Sequence, residues 1–310
     1  MSIFKKAVYA ALFLFLSLAP VNARMAVIES PGIVINLPSR TLELYSGTTL
    51  VKEYPIAIGK PSTQTPLGSY SITNMEVNPV WIPPGRGYVV ESGPDNPLGY
   101  RWMGFLPLYG IHGTNAAWTI GLAVSNGCVR MNEADAEELF EIIGCGTPVQ
   151  VTYERIKIRV NGKGEVSLAV YPDIYGYQQI TVADVYNKLA QFGLNGWISE
   201  NFVQQLIEQG SDKQVTFAQY FSLKINDQQK NERGVLTNNT LYVPVWPVAS
   251  GLKTNILWDE QDHLVRGPKC AVPGLVKGDI VYVTMDNLQK LFGCQEIWKP
   301  AENILEVVLN

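Results

Sequence analysis

The sequence predicts a mainly β N-terminal domain followed by an α+β C-terminal region. Three observations support this fold class. Between residues 27 and 153, short runs of alternating apolar and polar residues are separated by Gly and Pro. The same stretch contains one clear amphipathic helix pattern, whereas helix and strand patterns alternate after residue 156. With 310 residues, 46% of them hydrophobic, the chain is long enough for two domains with separate cores.

The N-terminal strands are predicted wherever the alternation is typical of half-buried strands. They are Val27–Leu37, Thr41–Tyr45, Leu50–Ile58, Ser69–Met75 and Pro148–Tyr153. Asn78–Pro97 is rich in Pro and Gly, which predicts a long irregular segment of the kind that often carries function. A helix is predicted over Glu133–Ile143, with Asn132 as its N-cap and Gly144 just beyond its end.

The C-terminal region mixes strand and helix patterns. Strands are predicted over Ile156–Val170 and Gln179–Thr181, and a helix over Val182–Phe192. Phe202–Gln209 follows, and for Phe217–Ile225 both helix and strand remain open.

Two later stretches share one order of elements. Leu241–Asp259 and Ile280–Leu309 each show a strand, a helix, and then a strand around an Ile and Trp pair. This loose periodicity is compatible with an internal duplication.

The first 23 residues have the pattern of a secretory signal peptide. Lys5 and Lys6 precede the apolar run Ala7–Ala19, and the small residue Ala23 follows. An uncleaved anchor is the alternative, although the apolar run is short for a bilayer span. We therefore expect an exported protein, in the periplasm or cell wall, or membrane-tethered if the signal is retained.

Charge and cysteine spacing exclude several classes of function. The formal net charge of −4 argues against a nucleic-acid partner. The four cysteines show neither a CxxC spacing, which a thiol–disulfide oxidoreductase would need, nor histidines at metal-ligand spacing, so we expect no metal and no cofactor. Cys270 and Cys294 both lie in the C-terminal part of the chain, so a disulfide between them is left as an open alternative.

The residues with the clearest chemistry lie around Cys128. A cysteine attacks as the thiolate, and His112 is the only histidine of this domain that could accept its proton. The backbone N–H groups of Gly127 and Cys128 are predicted to stabilise an oxyanion, and the following helix to favour the thiolate. Arg130 is predicted to bind a substrate carboxylate. The alternative is that Cys128 and His112 are ordinary structural residues.

At these positions the sequence resembles the YkuD-type L,D-transpeptidase catalytic domain. The matching residues are His112-Gly113-Thr114, Ser125-Asn126-Gly127-Cys128-Val129-Arg130-Met131, Thr65-Pro66-Leu67-Gly68-Ser69-Tyr70 and Gly146-Thr147-Pro148-Val149. The resemblance covers about residues 24–153, within a catalytic domain that we place at residues 24–155. Many members have His where this chain has Asn126, so the second imidazole of those members is replaced here by an amide that cannot titrate.

The resemblance implies a β-sandwich and a two-step acyl transfer on peptidoglycan stem peptides. Cys128 would be the nucleophile, His112 the base and Gly127 part of the oxyanion site. Ser125, Asn126, Thr114 and Arg130 would contact or orient the substrate. An amine acceptor would give a 3→3 cross-link, water would give an L,D-carboxypeptidase, and carbapenems would acylate the same cysteine. A non-catalytic wall-binding protein is the competing class.

The C-terminal region has a fainter resemblance to the copper amine oxidase N-terminal-like stalk domain. It rests on Asn239-Thr240-Leu241-Tyr242-Val243-Pro244 and Ile256-Leu257-Trp258-Asp259. It covers about residues 223–310 and implies a stalk-like, wall-binding domain there, and we interpret residues 156–222 as a linking α+β region. His263 is the only histidine there, so no copper chemistry is expected.

Overall fold

A computed structural model describes residues 28–83 and 85–308 of the chain. The predicted signal peptide, residues 1–23, lies outside the described residues. Within the described ranges, no helix is long and apolar enough to cross a membrane. Two large sheets, one small sheet and five α-helices account for the regular structure of these ranges.

Ten strands from the N-terminal part of the described chain form the first sheet. They are β1 (Pro31–Asn36), β2 (Thr41–Ser46), β3 (Thr49–Gly59), β4 (Gly68–Ser71), β5 (Asn74–Val77), β6 (Arg101–Leu106), β7 (Tyr109–His112), β8 (Ala123–Ser125), β9 (Val129–Met131) and β10 (Pro148–Thr152). Their order is β4-β10-β1-β2-β3-β9-β7-β6-β5, with β8 also paired to β3. Helix α1 (Glu133–Ile142) follows β9, and a 3₁₀ turn occupies Ala117–Thr119.

The predicted fold class is confirmed, but one predicted strand is wrong. Ser69–Met75 is two strands, β4 and β5, which lie at opposite ends of the strand order. The chain changes partner between two neighbouring residues. The N–H of Ile72 donates to Thr147 O at 2.9 Å, and that of Thr73 to Gly104 O at 2.7 Å. Alternation along a sequence marks extended backbone but not such a change of partner.

The core of the first sheet is formed by alternate strand residues and by the inner face of α1. Ile35, Leu42, Ile56 and Ile111 are fully buried, and Leu139 of α1 packs on them. Asn132 occupies the predicted N-cap position. Its side-chain amide donates to Asp135 Oδ2 at 3.0 Å rather than accepting from the helix backbone.

The C-terminal part of the described chain builds a nine-stranded sheet and a three-stranded sheet. The nine strands are β11 (Ile156–Val160), β12 (Glu165–Val170), β13 (Val215–Ile225), β14 (Gln228–Thr237), β15 (Thr240–Pro244), β19 (Leu275–Lys277), β20 (Ile280–Thr284), β21 (Gln295–Lys299) and β22 (Ile304–Val308). The small sheet contains β16 (Leu257–Asp259), β17 (Leu264–Arg266) and β18 (Ala271–Pro273). The helices are α2 (Val182–Ala190), α3 (Glu200–Gln209), α4 (Val245–Gly251) and α5 (Met285–Phe292).

Of three predictions for the C-terminal region, one had been left open, one is wrong and one agrees with the order of elements in the structure. Phe217–Ile225, left open between helix and strand, belongs to β13. The predicted strand Gln179–Thr181 is wrong, because Thr181 is the N-cap of α2 and forms a capping box with Asp184. The repeated order of strand and helix is present as β15 with α4 and β20 with α5, and β15 pairs antiparallel with β20.

The segments predicted as 156–222 and 223–310 contribute to one sheet. Position 223 lies inside β13, which pairs with β12, β14 and β22. Residues just before α2 instead return to the first sheet, where Tyr175 is buried in the N-terminal core.

Candidate active site

The pairing of two short parallel strands brings the predicted catalytic residues together. In the register of β7 with β9, Ile111 lies opposite Val129 and His112 opposite Arg130. Cys128 immediately precedes β9, so its thiol lies at the end of this pair. These are the residues that the sequence predicts, and the strand register brings them close although they are far apart in the chain.

The Cys128 thiol is partly buried beside the turn that joins β6 to β7. Its Sγ donates to Leu108 O at 3.5 Å. Burial raises the pKa of the thiol, and the backbone of Gly110 and the charge of Arg130 oppose that rise without cancelling it. Strand β9 separates Cys128 from α1, and burial has the largest effect on the pKa of the thiol. The expected effect of the following helix on the thiolate stays a prediction.

His112 is a buried, neutral imidazole. Its Nδ1 lies 2.6 Å from Gly113 O. A carbonyl can only accept, so Nδ1 carries the proton and Nε2 carries the lone pair. Burial, with a smaller contribution from the charge of Arg130, lowers the pKa of His112 to about 4, although backbone hydrogen bonds with Gly113 and Leu98 oppose the shift. The ring stacks on Trp102, with centroids 5.7 Å apart. The imidazole can therefore accept a proton at neutral pH.

Thiol and imidazole are not hydrogen-bonded to each other among the described residues. The bond from Cys128 goes to Leu108, and the ring of His112 bonds to backbone. Such pairs often tighten only when substrate binds.

The loop that carries Cys128 is held by the hydroxyl of Ser125. Ser125 Oγ donates to Cys128 O at 2.5 Å and accepts from Gly127 N–H at 3.0 Å. Ser125, which we predicted to contact or orient the substrate, is buried, and its hydroxyl organises the loop. The Gly127 N–H, one of the two predicted oxyanion donors, is already engaged. Gly127 has φ +116°, and a Cβ there would lie 2.5 Å from the Tyr109 ring.

The remaining predicted substrate residues differ in exposure. Asn126 is exposed, and its Oδ1 accepts from Lys60 Nζ at 3.1 Å. Thr114 is buried, and its Oγ1 accepts from Ala116 N–H at 3.1 Å, so it shapes the turn after His112. Of these two, only Asn126 is open to a ligand.

The side chain of Arg130 is half-buried and makes no ion pair or hydrogen bond within the described part of the chain. Burial lowers the pKa of its guanidinium, while Cys128 raises it. An unpaired guanidinium beside the nucleophile is suited to a carboxylate.

Sequence reasoning missed several residues that support this loop. Thr65 Oγ1 donates to Gly127 O at 2.9 Å and accepts from Gly59 N–H at 3.0 Å. Tyr175, from the C-terminal region, donates to Gly59 O at 2.6 Å and accepts from Thr65 N–H at 3.3 Å. The Thr65-Pro66 motif was the only signal for Thr65, and no local pattern indicated Tyr175.

The cysteines and other metal-ligating residues give no second centre. All four cysteines lie in the described ranges and are free thiols, so the disulfide left open between Cys270 and Cys294 is not formed. Among those ranges, no group of three His, Cys, Asp or Glu residues is placed to hold a metal ion.

Comparison with known proteins places residues 30–151 in a single family. They match the family model of the YkuD L,D-transpeptidase catalytic domain. The chain is 43% identical over 121 residues to the L,D-transpeptidase YkuD of Bacillus licheniformis, covering 39% of this chain and 64% of that protein. It is 38% identical over 129 residues to the L,D-transpeptidase YqjB of Bacillus subtilis, covering 39% of this chain and 71% of that protein.

A solved L,D-transpeptidase from Mycobacterium smegmatis overlaps 40% of this chain and 58% of its own, with 18% identity and a TM-score of 0.34. The chain thus spans less than two thirds of the first of these relatives, and the family match ends at residue 151. Through its N-terminal part, the chain belongs to the YkuD-type L,D-transpeptidases.

Proposed function

We propose that the protein is a cysteine-dependent L,D-transpeptidase that acts on the stem peptides of peptidoglycan through an acyl-enzyme on Cys128. One observation supports this most. The β7–β9 register places a neutral imidazole opposite an unpaired guanidinium, and the thiol lies two residues before that guanidinium along the chain. These are a base, a nucleophile and an anion-binding group.

In the first step the Cys128 sulfur attacks the carbonyl carbon of the third residue of a tetrapeptide stem. Because the thiol is protonated in the free protein, its proton passes to His112 as the carbon–sulfur bond forms. The imidazolium then gives this proton to the departing amino group of the terminal D-alanine. The carbon–nitrogen bond breaks, and a thioester remains on Cys128.

In the second step the side-chain amine of another stem attacks the thioester and loses a proton to His112. The carbon–sulfur bond breaks, the thiolate takes the proton, and a 3→3 link is released. Water in place of the amine would make the same site an L,D-carboxypeptidase.

Arg130 is the group we assign to a substrate carboxylate. It is the half-buried cation nearest the nucleophile in sequence, and the described residues give it no acid partner. A guanidinium can bind a carboxylate through two parallel hydrogen bonds. The exposed Asn126 amide, held by Lys60, is a further contact for the stem.

The test is the intact mass of the purified protein after incubation with a carbapenem, with Cys128→Ala as control. One adduct, absent from the control, supports a nucleophilic Cys128. Tetrapeptide muropeptides then identify the acceptor, because a cross-linked dimer indicates transpeptidation and a tripeptide alone indicates hydrolysis. An unmodified, folded wild-type protein would contradict the proposal and favour a non-catalytic wall-binding protein.

We also propose that the protein is exported and that its C-terminal region contacts the cell wall. The proposed substrate lies outside the cytoplasm, and the N-terminal 23 residues have the composition of a signal peptide. Co-sedimentation of the purified Cys128→Ala variant with insoluble peptidoglycan tests wall contact, and a protein that stays in the supernatant would contradict it.

A further inference from the structure

The carboxylate of Glu133, the first residue of α1, joins two separate backbone segments. Its Oε1 accepts from the N–H of Tyr100 at 2.7 Å. The backbone of Thr114 also hydrogen-bonds to this carboxylate. Tyr100 ends the irregular segment before β6, whereas Thr114 follows β7. The mechanism above does not use this side chain.

Both segments also contact the ring of His112. The Gly113 carbonyl, one residue before Thr114, accepts from Nδ1 at 2.6 Å. Leu98, two residues before Tyr100, makes the other backbone hydrogen bond to the ring. Glu133 therefore ties together the two pieces of backbone that orient the imidazole.

Two glycines leave the space that the carboxylate fills. A Cβ on Gly99 would lie 2.0 Å from Glu133 Oε2, and a Cβ on Gly113 would lie 2.2 Å from the same atom. Any side chain at either position would displace the carboxylate. The glycine of the His112-Gly113 pair is thus explained by what lies against it, and Gly113 shows no left-handed backbone that would require glycine for another reason.

We propose that Glu133 is a positioning residue for His112, acting as a clamp between the Leu98–Tyr100 segment and the Gly113–Thr114 segment. This inference rests on the proposed function only for its effect on catalysis. Glu133 makes no hydrogen bond to the Cys128 thiol among the described residues, so we assign it no catalytic step. It holds the segment whose Gly113 carbonyl accepts from Nδ1 and fixes the tautomer of the imidazole, and it joins that segment to the one that contains Leu98.

Other charged groups near Glu133 and His112 also affect their pKa values and bear on the direction of the shift expected when Glu133 is removed. Arg130 of β9 lowers the pKa of His112. Glu137 raises and Arg101 lowers the pKa of Glu133, whose pKa is raised chiefly by burial. If Glu133 acted on His112 by charge alone, its removal would lower the pKa of His112. If Glu133 keeps water from the ring, its removal raises that pKa toward 6.5.

The experiment is an NMR titration of the histidine ring signals, which needs no enzyme activity. The chain has two histidines, so His263→Gln assigns both. We expect Glu133→Ala to raise the pKa of His112 by about one unit or more, because solvent reaches the ring. Glu138→Ala, which removes an equal charge from the same helix, should leave the pKa of His112 unchanged. Acylation of Cys128 by a carbapenem should slow about tenfold or more in Glu133→Ala, because the imidazole is misplaced.

A second pair of variants keeps the inference falsifiable if Glu133→Ala is unstable. Gly113→Ala should shift the pKa of His112 in the same direction, since its Cβ displaces the carboxylate. In a protein that already carries Glu133→Ala, Gly113→Ala should change the pKa of His112 little further. An unchanged or lowered pKa of His112 in folded Glu133→Ala would overturn the inference. An equal shift in the pKa of His112 when Gly113→Ala is introduced into the wild type and into Glu133→Ala would also overturn it. A raised pKa without acylation in the wild type would retain the clamp and contradict only the proposed function.

Discussion

Thr65 Oγ1 donates a hydrogen bond to the carbonyl of Gly127 at 2.9 Å, and so ties the loop after β3 to the loop that carries Cys128. The same hydroxyl accepts from the N–H of Gly59 at 3.0 Å. Thr65 is buried, so neither bond can be replaced by bulk water.

Replacing Thr65 by Val should lower both stability and activity. The two backbone groups would lose their partner in a dry environment, which costs about 1–3 kcal/mol of unfolding free energy for each group. Urea unfolding measures that loss, and carbapenem acylation of Cys128 measures the displacement of the loop. Thr65→Ser keeps the hydroxyl and should stay near wild type. Equal losses in Ser and Val variants would contradict the role of the hydroxyl.

Tyr175 should affect the site although it belongs to the C-terminal region. Its hydroxyl donates to Gly59 O at 2.6 Å in a buried position. We expect Tyr175→Phe to lower the unfolding free energy by about 1–3 kcal/mol and to slow acylation of Cys128. Tyr177→Phe is the matched control, because its exposed hydroxyl bonds only the Gln64 side chain. If both variants behave alike, Tyr175 does not support the loop.

The stability of the protein should fall as the pH is lowered from about 6.5 toward about 4. The pKa of His112 is lowered to about 4 in the folded state by burial and by Arg130, whereas the unfolded chain binds a proton near 6.5. The neutral imidazole therefore contributes stability above pH 6.5 that is lost on acidification. The shift corresponds to about 3 kcal/mol. Comparing urea unfolding at pH 7 and pH 4.5 for wild type and His112→Gln measures this contribution. An equal pH dependence in both proteins would contradict it.

Glu43 should be essential for the contact between the two large sheets. It is buried, and it pairs with Lys157 and Arg159 of β11. Although burial opposes ionisation, the hydrogen bond from Lys157 and the other nearby groups hold the pKa of Glu43 below its usual range. Glu43→Ala would leave two cations without this partner and should cost about 3–5 kcal/mol.

The more exposed Glu53 also pairs with both cations and serves as the comparison. We expect Glu53→Ala to cost clearly less than Glu43→Ala in chemical denaturation. The reverse order would show that the buried member of the cluster is not the one that stabilises the contact.

The sequence predicted the parts of the fold and site that depend on neighbouring residues. Alternation marked β1, β2 and β3, and the capping position and apolar face marked α1. The chemistry of Cys128 and His112 was visible because few residue types can perform it. Contacts between distant segments left no local pattern. Two examples are the change of hydrogen-bond partner between Ile72 and Thr73 and the packing of Tyr175 against the first sheet. The burial of the Cys128 thiol also needed the structure, because burial is a property of the packed molecule.

Because β7 and β9 pair directly, the relative position of His112 and Arg130 does not depend on the length of the segment that connects the two strands. The register that places His112 opposite Arg130 is set by two short strands and their neighbours, and the part of the connection between Thr114 and β8 belongs to no strand. Trp118 in that segment is 78% exposed and contributes nothing to the core. Insertions or deletions around Trp118 would change the rim of the candidate site without moving His112 or Cys128, so this part of the connection is where evolution could change the proposed acceptor while the proposed reaction stays the same.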